Sequence, residues 1–177
     1  MKPFSIRTNS VAQTETLAAR LAGQLEGGLV LTLSGELGAG KTIFVRGLAR
    51  GLNVPPGVAV TSPTYVLQHT YRGGRLAIHH LDTYRLGGGA QEFEASGLQE
   101  CWDDAEAVVC LEWPERLSGV TWPADHLQIT LEHAGAEGRR ITFAATGPRS
   151  ESIVQQLKLA VSGLPEHDES KPGQEGC

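Results

Sequence analysis

Long apolar segments are absent from this sequence, and cysteine is scarce. No apolar run approaches the roughly 18 residues that suggest a membrane-spanning helix, and the opening MKPFSIRTNS lacks the apolar segment of a secretory signal peptide. The cysteines, Cys101, Cys110 and Cys177, form no CxxC pair, so neither a zinc site nor a disulfide framework is indicated. We therefore predict a cytoplasmic protein with no membrane contact and no disulfide.

An excess of positive charge is also missing. The chain has 15 Lys and Arg against 20 Asp and Glu, for a formal net charge of −5. Because affinity for a phosphate backbone comes mainly from Lys and Arg, this balance argues against unaided binding of nucleic acid. Lysine is the scarcer basic residue, and Lys41 is the single lysine between Lys2 and Lys158. Arginine supplies the other positive charges of this region, so Lys41 stands out as a residue chosen for its chemistry.

The length and the hydrophobic content fit one domain. With 177 residues, 40% of them hydrophobic, the chain is long enough to bury a core of its own. We assign residues 1–162 to a single domain. Residues 163–177 are polar, contain Pro and Gly, and lack the apolar periodicity needed for packing, so they are predicted to form a disordered tail.

Strand patterns and helix patterns alternate along the chain. The compact apolar runs at residues 29–33 and 107–111 predict buried parallel strands, and leucines at helical spacing predict a helix over residues 12–25. The other predicted elements are strands at 4–8, 65–71, 75–81, 127–133 and 139–145 and helices at 43–52, 91–104, with a break near Gly97, and 150–162. A parallel core with antiparallel hairpins attached to it predicts a three-layer α/β fold with a mixed sheet.

One motif in the chain carries recognisable chemistry. Residues 35–42, GELGAGKT, match GxxxxGK[ST] and follow a predicted strand and precede a predicted helix, as a phosphate-binding loop requires. Glycines let the backbone approach phosphate oxygens closely, and the helix N-terminus adds partial positive charge. In such loops the lysine contacts the β- and γ-phosphates and the hydroxyl ligates Mg²⁺. The predicted phosphate-binding residues are Gly35, Glu36, Leu37, Gly38, Ala39, Gly40, Lys41 and Thr42.

The nucleotide is expected to be ATP, held with Mg²⁺. GTPases usually read guanine with an NKxD segment, and no lysine occurs between Lys41 and Lys158 to form one. A P-loop also needs an acid at the end of a neighbouring strand. Glu112 ends AVVCL and Asp82 ends LAIHHL. The more apolar strand favours Glu112 as the metal ligand and leaves Asp82 for the attacking water or a switch role, although either carboxylate could hold the metal directly.

Four segments together resemble one protein family. They are GELGAGKT at 35–42, TSPTY at 61–65, HLDTYRL at 80–86 and LEWPERL at 111–117. In order and spacing they resemble the bacterial TsaE (YjeE) family, the small P-loop ATPase of tRNA threonylcarbamoyladenosine biosynthesis. The resemblance covers roughly residues 10–145, and the combination of these segments is far more specific than the P-loop alone.

The resemblance implies roles for individual residues. Lys41 and the loop glycines would hold phosphates, Thr42 and Glu112 would bind Mg²⁺, and Asp82 would serve hydrolysis. Residues 61–64 would form a switch-like loop. Further nucleotide contacts are implied at Ile43, Thr61, Trp113, Glu115 and Arg139. Ile43 stands where many family members have a second Thr, and Arg140 is adjacent to the position matched by Arg139.

The resemblance also implies a function and partners. Family members act with the proteins TsaB and TsaD, which transfer threonylcarbamoyl to the adenosine next to the anticodon, and the ATPase resets that complex between turnovers. Contact with tRNA would then be indirect, through the complex, in keeping with the acidic charge. One alternative is an ATP-dependent assembly or switch module with incidental hydrolysis. A second is a small P-loop kinase, which the lack of an Arg-dense lid segment disfavours.

Overall fold

The structure, a computed structural model, describes residues 1–87 and 89–162. The predicted tail at 163–177 lies outside the described residues. The strands are β1 (Phe4–Thr8), β2 (Leu29–Ser34), β3 (Gln68–Tyr71), β4 (Ala77–Asp82), β5 (Ala107–Glu112), β6 (Leu127–His133) and β7 (Arg139–Ala145). The helices are α1 (Val11–Ala22), α2 (Lys41–Gly51), α3 (Gly89–Ala95) and α4 (Pro148–Val161), with short 3-10 helices at Leu98–Asp103 and Pro114–Arg116.

The strands of the described residues form one mixed sheet in the order β1-β7-β6-β2-β5-β4-β3. Strands β6, β2, β5 and β4 are parallel, whereas β3, β7 and β1 pair antiparallel with their neighbours. Within the parallel part, Glu112 on β5 is in register with Leu33 on one side and with Asp82 on the other. The carboxyl ends of β2, β5 and β4 therefore meet at one edge of the sheet, and the predicted mixed sheet is confirmed.

Helices cover both faces of this sheet. Because side chains alternate along a strand, Leu31 and Cys110 pack into one hydrophobic cluster while Val30 and Val109 pack into another. The first cluster includes residues of α1, α2 and α4, and the second includes Phe93 of α3. The predicted three-layer arrangement is thus confirmed. No helix among the described residues is long and apolar enough to cross a membrane.

One predicted boundary is wrong, and one predicted break in a helix is confirmed. The hairpin strand expected at 65–71 begins only at Gln68, because a turn at Pro63 precedes it and Leu67 has a φ of 65°. The helical segment expected at 91–104, with a break near Gly97, is α3 followed by a 3-10 helix. Gly97, with a φ of 70°, separates the two, as a left-handed residue commonly does at a helix end.

Helices α1 and α2 pack with their backbones in close contact at two glycines. A Cβ atom on Gly47 would lie 2.4 Å from the Glu15 carbonyl oxygen, and one on Gly51 would lie 2.4 Å from the Ala19 carbonyl oxygen. Neither distance is tolerable for a carbon atom, so these glycines let α2 lie directly against α1. The position of α2 matters because its first residue is Lys41.

Gly47→Ala is expected to destabilise the protein by roughly 1–3 kcal/mol, the usual cost of overpacking a tight contact. The effect opposes the gain of about 1 kcal/mol that Ala brings to a helix interior. Chemical denaturation measures the free energy of unfolding. Gly57→Ala is the control, since a Cβ there meets nothing within 4 Å. A Gly47→Ala protein as stable as the parent would contradict the close packing of α1 against α2.

Candidate functional site

The loop between β2 and α2 has the backbone that its glycines allow. Gly35, Gly38 and Gly40 have φ values of 144°, 79° and 102°, a region that residues with a side chain rarely adopt. A Cβ on Gly35 would also lie 2.3 Å from the Leu131 carbonyl oxygen. Gly40 precedes the first turn of α2 and contributes no side-chain cap. This helix end is therefore suited to an anion.

Lys41 is folded back against its own loop. Its Nζ atom donates hydrogen bonds to the carbonyl oxygens of Gly35, at 2.7 Å, and of Glu36, at 3.0 Å. The same atom lies 3.5 Å from the centroid of the Trp113 ring, a close cation–π contact. Burial lowers the pKa of Lys41, and the nearby carboxylates of Glu112, Glu115 and Asp82 partly oppose this shift.

Thr42 and Glu112 meet across the gap between α2 and β5. The Thr42 hydroxyl donates to Glu112 Oε1 at 2.8 Å, although the two residues are far apart in sequence. Glu112 is 3% exposed, and the same Oε1 atom accepts a second hydrogen bond from His80 Nε2 at 2.8 Å. The structure therefore brings together the two residues proposed to bind Mg²⁺.

Asp82 contacts a different part of the site. Its Oδ2 atom accepts hydrogen bonds from the hydroxyls of Ser62 and Thr64, each at 2.6 Å, and its Oδ1 atom accepts one from the Tyr84 amide at 2.9 Å. Both hydroxyls belong to residues 61–64, which we term the 61–64 loop. Asp82 therefore anchors this loop at the carboxyl edge of β4, next to Glu112.

Thr61 is held through its backbone by Tyr71. The Tyr71 hydroxyl donates to the Thr61 carbonyl oxygen at 2.9 Å and accepts from the Thr61 amide at 3.2 Å. Burial raises the pKa of Tyr71, which keeps the hydroxyl protonated and able to donate. The side chain of Thr61 is exposed. A nucleotide contact by this residue remains a prediction.

Trp113, Glu115 and Arg139 surround the P-loop. Trp113 has a φ of 65°, and its ring packs on that of Tyr84 with centroids 4.9 Å apart. Glu115 is exposed but close enough to act on the charge of Lys41. Arg139 Nε donates to the Ala39 carbonyl oxygen at 2.8 Å, so Arg139, rather than Arg140, is the arginine seen against the loop.

Two residues of the site were not assigned from the sequence. Tyr71 lies in the strand predicted at 65–71 and His80 opens the segment HLDTYRL, and the sequence indicates no role for either side chain. Both side chains face the site from neighbouring strands, β3 and β4. The sequence signal was the segment HLD at the end of a strand, where alternate residues point to the same face.

The donor set suits a metal that keeps few protein ligands. Among residues 1–87 and 89–162, no cluster of three or more His, Cys, Asp and Glu side chains could enclose a metal ion. Mg²⁺ in nucleotide sites is held by one or two protein oxygens together with phosphates and water. Thr42 and Glu112 supply such oxygens beside a glycine loop that can hold phosphates. The residues present therefore fit a nucleotide bound with Mg²⁺.

A glycine loop that joins a buried parallel strand to a helix, beside an acid on the next strand, defines the P-loop nucleotide-binding class. The family described as "Threonylcarbamoyl adenosine biosynthesis protein TsaE" matches residues 8–141. The chain belongs to the TsaE family.

Several proteins and one solved structure show the same relationship. The chain is 37% identical over 157 residues to a Bacillus subtilis protein named tRNA threonylcarbamoyladenosine biosynthesis protein TsaE, covering 89% of this chain and 95% of the relative. A Streptomyces coelicolor protein of that name is 39% identical over 140 residues, covering 75% and 90%. A crystal structure of Bacillus subtilis YdiB superimposes with a TM-score of 0.71 at 33% identity, covering 90% of this chain and 96% of that one.

Proposed function

We propose that this chain is a partner-dependent ATPase needed for threonylcarbamoylation of the tRNA adenosine next to the anticodon. The observation that carries the proposal is the 2.8 Å contact between Thr42 Oγ1 and Glu112 Oε1, beside the P-loop lysine. In P-loop NTPases the metal lies between such a hydroxyl and an acid on a neighbouring strand. The relatives, named as biosynthesis proteins of tRNA threonylcarbamoyladenosine, supply the pathway.

In this proposal, different residues of the chain bind the phosphates, the metal ion and the attacking water. Lys41 and the loop glycines would hold the phosphates, and Thr42 with Glu112 would hold Mg²⁺. When bound, Mg²⁺ would neutralise negative charge on the phosphate oxygens. Asp82 would orient or deprotonate the attacking water. We further infer nucleotide contacts for Glu36, Leu37, Ala39 and the other loop residues, and for Ile43, Thr61, Trp113, Glu115 and Arg139 at the rim.

The proposed partners are TsaB and TsaD in the cytoplasm. In this proposal they hold the tRNA and carry out the transfer, while ATP hydrolysis by this chain resets their complex between turnovers. The net charge of −5 supports this division, because an acidic chain is poorly suited to hold a phosphate backbone directly.

One observation favours a second candidate function, an ATP-dependent assembly module. The carboxylate of Asp82, which would serve hydrolysis, accepts hydrogen bonds from Ser62 and Thr64 of the 61–64 loop. A residue committed to a loop in this way can report nucleotide binding by releasing the loop, with hydrolysis as a side reaction. The partner-dependent ATPase and the assembly module predict different effects of removing the Asp82 carboxylate on function with the partners.

Glu112→Ala and Asp82→Ala variants test the proposal. Glu112→Ala should weaken magnesium-dependent ATP binding by about 10–100-fold, because it removes an oxygen ligand. Asp82→Ala should leave binding near normal and lower turnover by about 10²-fold or more, the usual contribution of a group that handles the water. Calorimetry measures binding, and phosphate release measures turnover.

Asp104→Ala is the matched control, since Asp104 is also a carboxylate bound to a histidine of β4, at 2.9 Å from His79. It should change neither quantity. Equal binding and equal turnover in the Glu112 and Asp82 variants would contradict the division of roles. Full partner function in an Asp82→Ala protein that cannot hydrolyse ATP would instead support the assembly module.

A further inference from the structure

His80 is a fully buried histidine beside the proposed metal site. It lies on β4 at 0% exposure, and its two ring nitrogens face different partners. Nε2 lies 2.8 Å from Glu112 Oε1, and Nδ1 lies 3.5 Å from the Tyr71 hydroxyl. A buried polar ring is costly unless hydrogen bonds compensate for it. Both polar neighbours of His80, Glu112 and Tyr71, lie at the site, so its contacts point to a role there.

The first contact restrains the carboxylate of Glu112. Oε1 accepts one hydrogen bond from the Thr42 hydroxyl and another from His80 Nε2, both at 2.8 Å. These donors come from two different elements, α2 and β4. Partners behind a metal ligand usually fix its orientation in this way. His80 therefore holds Glu112 facing Thr42.

The second contact leads from His80 to the 61–64 loop. The Tyr71 hydroxyl lies between His80 Nδ1 and the backbone of Thr61, whose carbonyl oxygen and amide both bind it. The rings of His80 and Tyr71 are also in contact, with centroids 6.0 Å apart. The His80–Glu112 hydrogen bond, the packing of the His80 ring on the Tyr71 ring, and the two hydrogen bonds between Tyr71 and Thr61 thus connect Glu112 with the first residue of the loop.

We propose that His80 is a positioning residue that orients Glu112 toward the metal and couples this orientation to the 61–64 loop through Tyr71. The inference rests on the proposed function, in which Glu112 binds Mg²⁺. Asp82 anchors Ser62 and Thr64 of the same loop independently. The loop therefore has two attachments, and the one through Tyr71 and His80 reaches the proposed metal ligand.

The neighbouring histidine provides a matched control. His79 is 6% exposed on the same strand, but its Nε2 atom pairs with Asp104 at 2.9 Å, and its Nδ1 atom contacts Gln68 and Thr70. Successive residues of a strand point to opposite faces, so His79 faces away from Glu112. It resembles His80 in burial and in having a carboxylate partner, and differs in its distance from the site.

The experiment measures ATP affinity by calorimetry with excess Mg²⁺ and again with EDTA. His80→Asn removes the nitrogen that reaches Glu112, whereas His80→Gln places an amide nitrogen near the position of Nε2. The magnesium-dependent gain is the ratio of the ATP affinity with Mg²⁺ to the ATP affinity with EDTA. We expect this gain to be about 10–100-fold smaller in His80→Asn than in the parent protein, the usual cost of removing a residue that orients a metal ligand. His80→Gln should recover most of that gain. His79→Asn and His79→Gln should match the parent protein.

Tyr71→Phe tests the coupling and keeps the ring packing. It should lower the magnesium-dependent gain in affinity several-fold. This result also tests the proposal if His80→Asn does not fold. In the His80→Asn, Tyr71→Phe double variant the loss should not exceed that of His80→Asn alone, because both changes break one chain of contacts.

The outcomes separate the two proposals. A parent protein with no magnesium-dependent ATP binding would refute the proposed function. Normal binding by the parent, with His80→Asn behaving like His79→Asn, would refute the role of His80 alone. Equal losses with Mg²⁺ and with EDTA would show a merely structural histidine and overturn the proposal. Additive losses in the double variant would overturn the coupling through Tyr71.

Discussion

Adding TsaB and TsaD to this chain is expected to raise its rate of ATP hydrolysis by roughly 10³–10⁵-fold, the range seen when a partner completes a phosphoryl-transfer site. The isolated chain should hydrolyse ATP slowly. Phosphoryl transfer needs positive charge on the γ-phosphate beyond that of Mg²⁺ and the P-loop lysine, and an arginine often provides it. Three arginines near this site, Arg85, Arg116 and Arg139, have other contacts.

These arginines contact aromatic rings or carbonyl oxygens of the chain itself. The guanidinium carbon of Arg85 lies 4.3 Å from the centroid of the Tyr65 ring, and that of Arg116 lies 4.9 Å from the centroid of the Tyr84 ring. Arg139 donates to carbonyl oxygens of the P-loop, and Arg140 is exposed on β7. Tyr65 itself is 84% exposed. A partner that binds here could order the 61–64 loop, release Arg85 or contribute a positive charge of its own.

Single-turnover hydrolysis of labelled ATP provides the measurement, first with the chain alone and then with TsaB and TsaD. Modified tRNA is counted in a second, multiple-turnover mixture that contains excess ATP, tRNA and an activated threonylcarbamoyl donor, because resetting predicts several modified tRNAs per complex with hydrolysable ATP and about one with a non-hydrolysable analogue. Glu112→Ala, added with the same partners, controls for contaminating ATPases. Rapid hydrolysis by the lone chain, unchanged by the partners, would indicate a self-sufficient enzyme.

Lys41→Ala should weaken ATP binding by roughly 100-fold or more. Lys41 is expected to contact both the β- and the γ-phosphate, each hydrogen bond to a charged group contributes about 1.5–3 kcal/mol, and each factor of ten in affinity corresponds to about 1.4 kcal/mol, so two such bonds correspond to roughly 100-fold or more. The net contribution of Lys41 to ATP affinity is smaller than the energy of its contacts with the phosphates, because binding ATP also costs Lys41 its present contacts. Lys41 must first give up its contacts with the Gly35 and Glu36 carbonyl oxygens and with the Trp113 ring.

The same substitution should leave the fold intact. Burial lowers the pKa of Lys41, which shows that the charged ammonium is penalised in its present surroundings. Its removal therefore relieves a cost at the same time as it removes two hydrogen bonds. Calorimetry with ATP and Mg²⁺ measures affinity, and thermal unfolding checks the fold. Lys158→Ala, on α4, is the lysine control, and unchanged affinity in Lys41→Ala would show that the P-loop assignment is wrong.

Local patterns predicted much of this fold. The apolar runs of β2 and β5 and the hairpin of β6 and β7 needed only short-range periodicity to be recognised. The start of β3 depends on a long-range contact instead. Asp82 binds the hydroxyls of Ser62 and Thr64 and holds the preceding residues in a turn. Periodicity in residues 65–71 contains no information about that carboxylate.

Some residues of the site could likewise be predicted from local patterns, whereas others depend on long-range contacts. The spacing of the motif placed Lys41 and Thr42, and the end of an apolar strand placed Glu112 close to them. The contacts of His80 with Glu112 and with Tyr71 require β3, β4 and β5 to be adjacent in that order. Strand order follows from the packing of the whole sheet, so these contacts could not be predicted from the separate segments.

The position of β1 has a consequence for how the chain folds. Of the seven described strands β1 is synthesised first, yet it pairs with β7, the last of them, with Phe4 opposite Phe143. On a ribosome, β1 must therefore wait until nearly the whole domain has emerged before its edge of the sheet can close. Pairings between distant segments slow folding, because the entropy of closing a long loop is lost before the contacts form. The P-loop and its acidic neighbours, by contrast, lie on strands β2, β4 and β5, which can assemble before that last step.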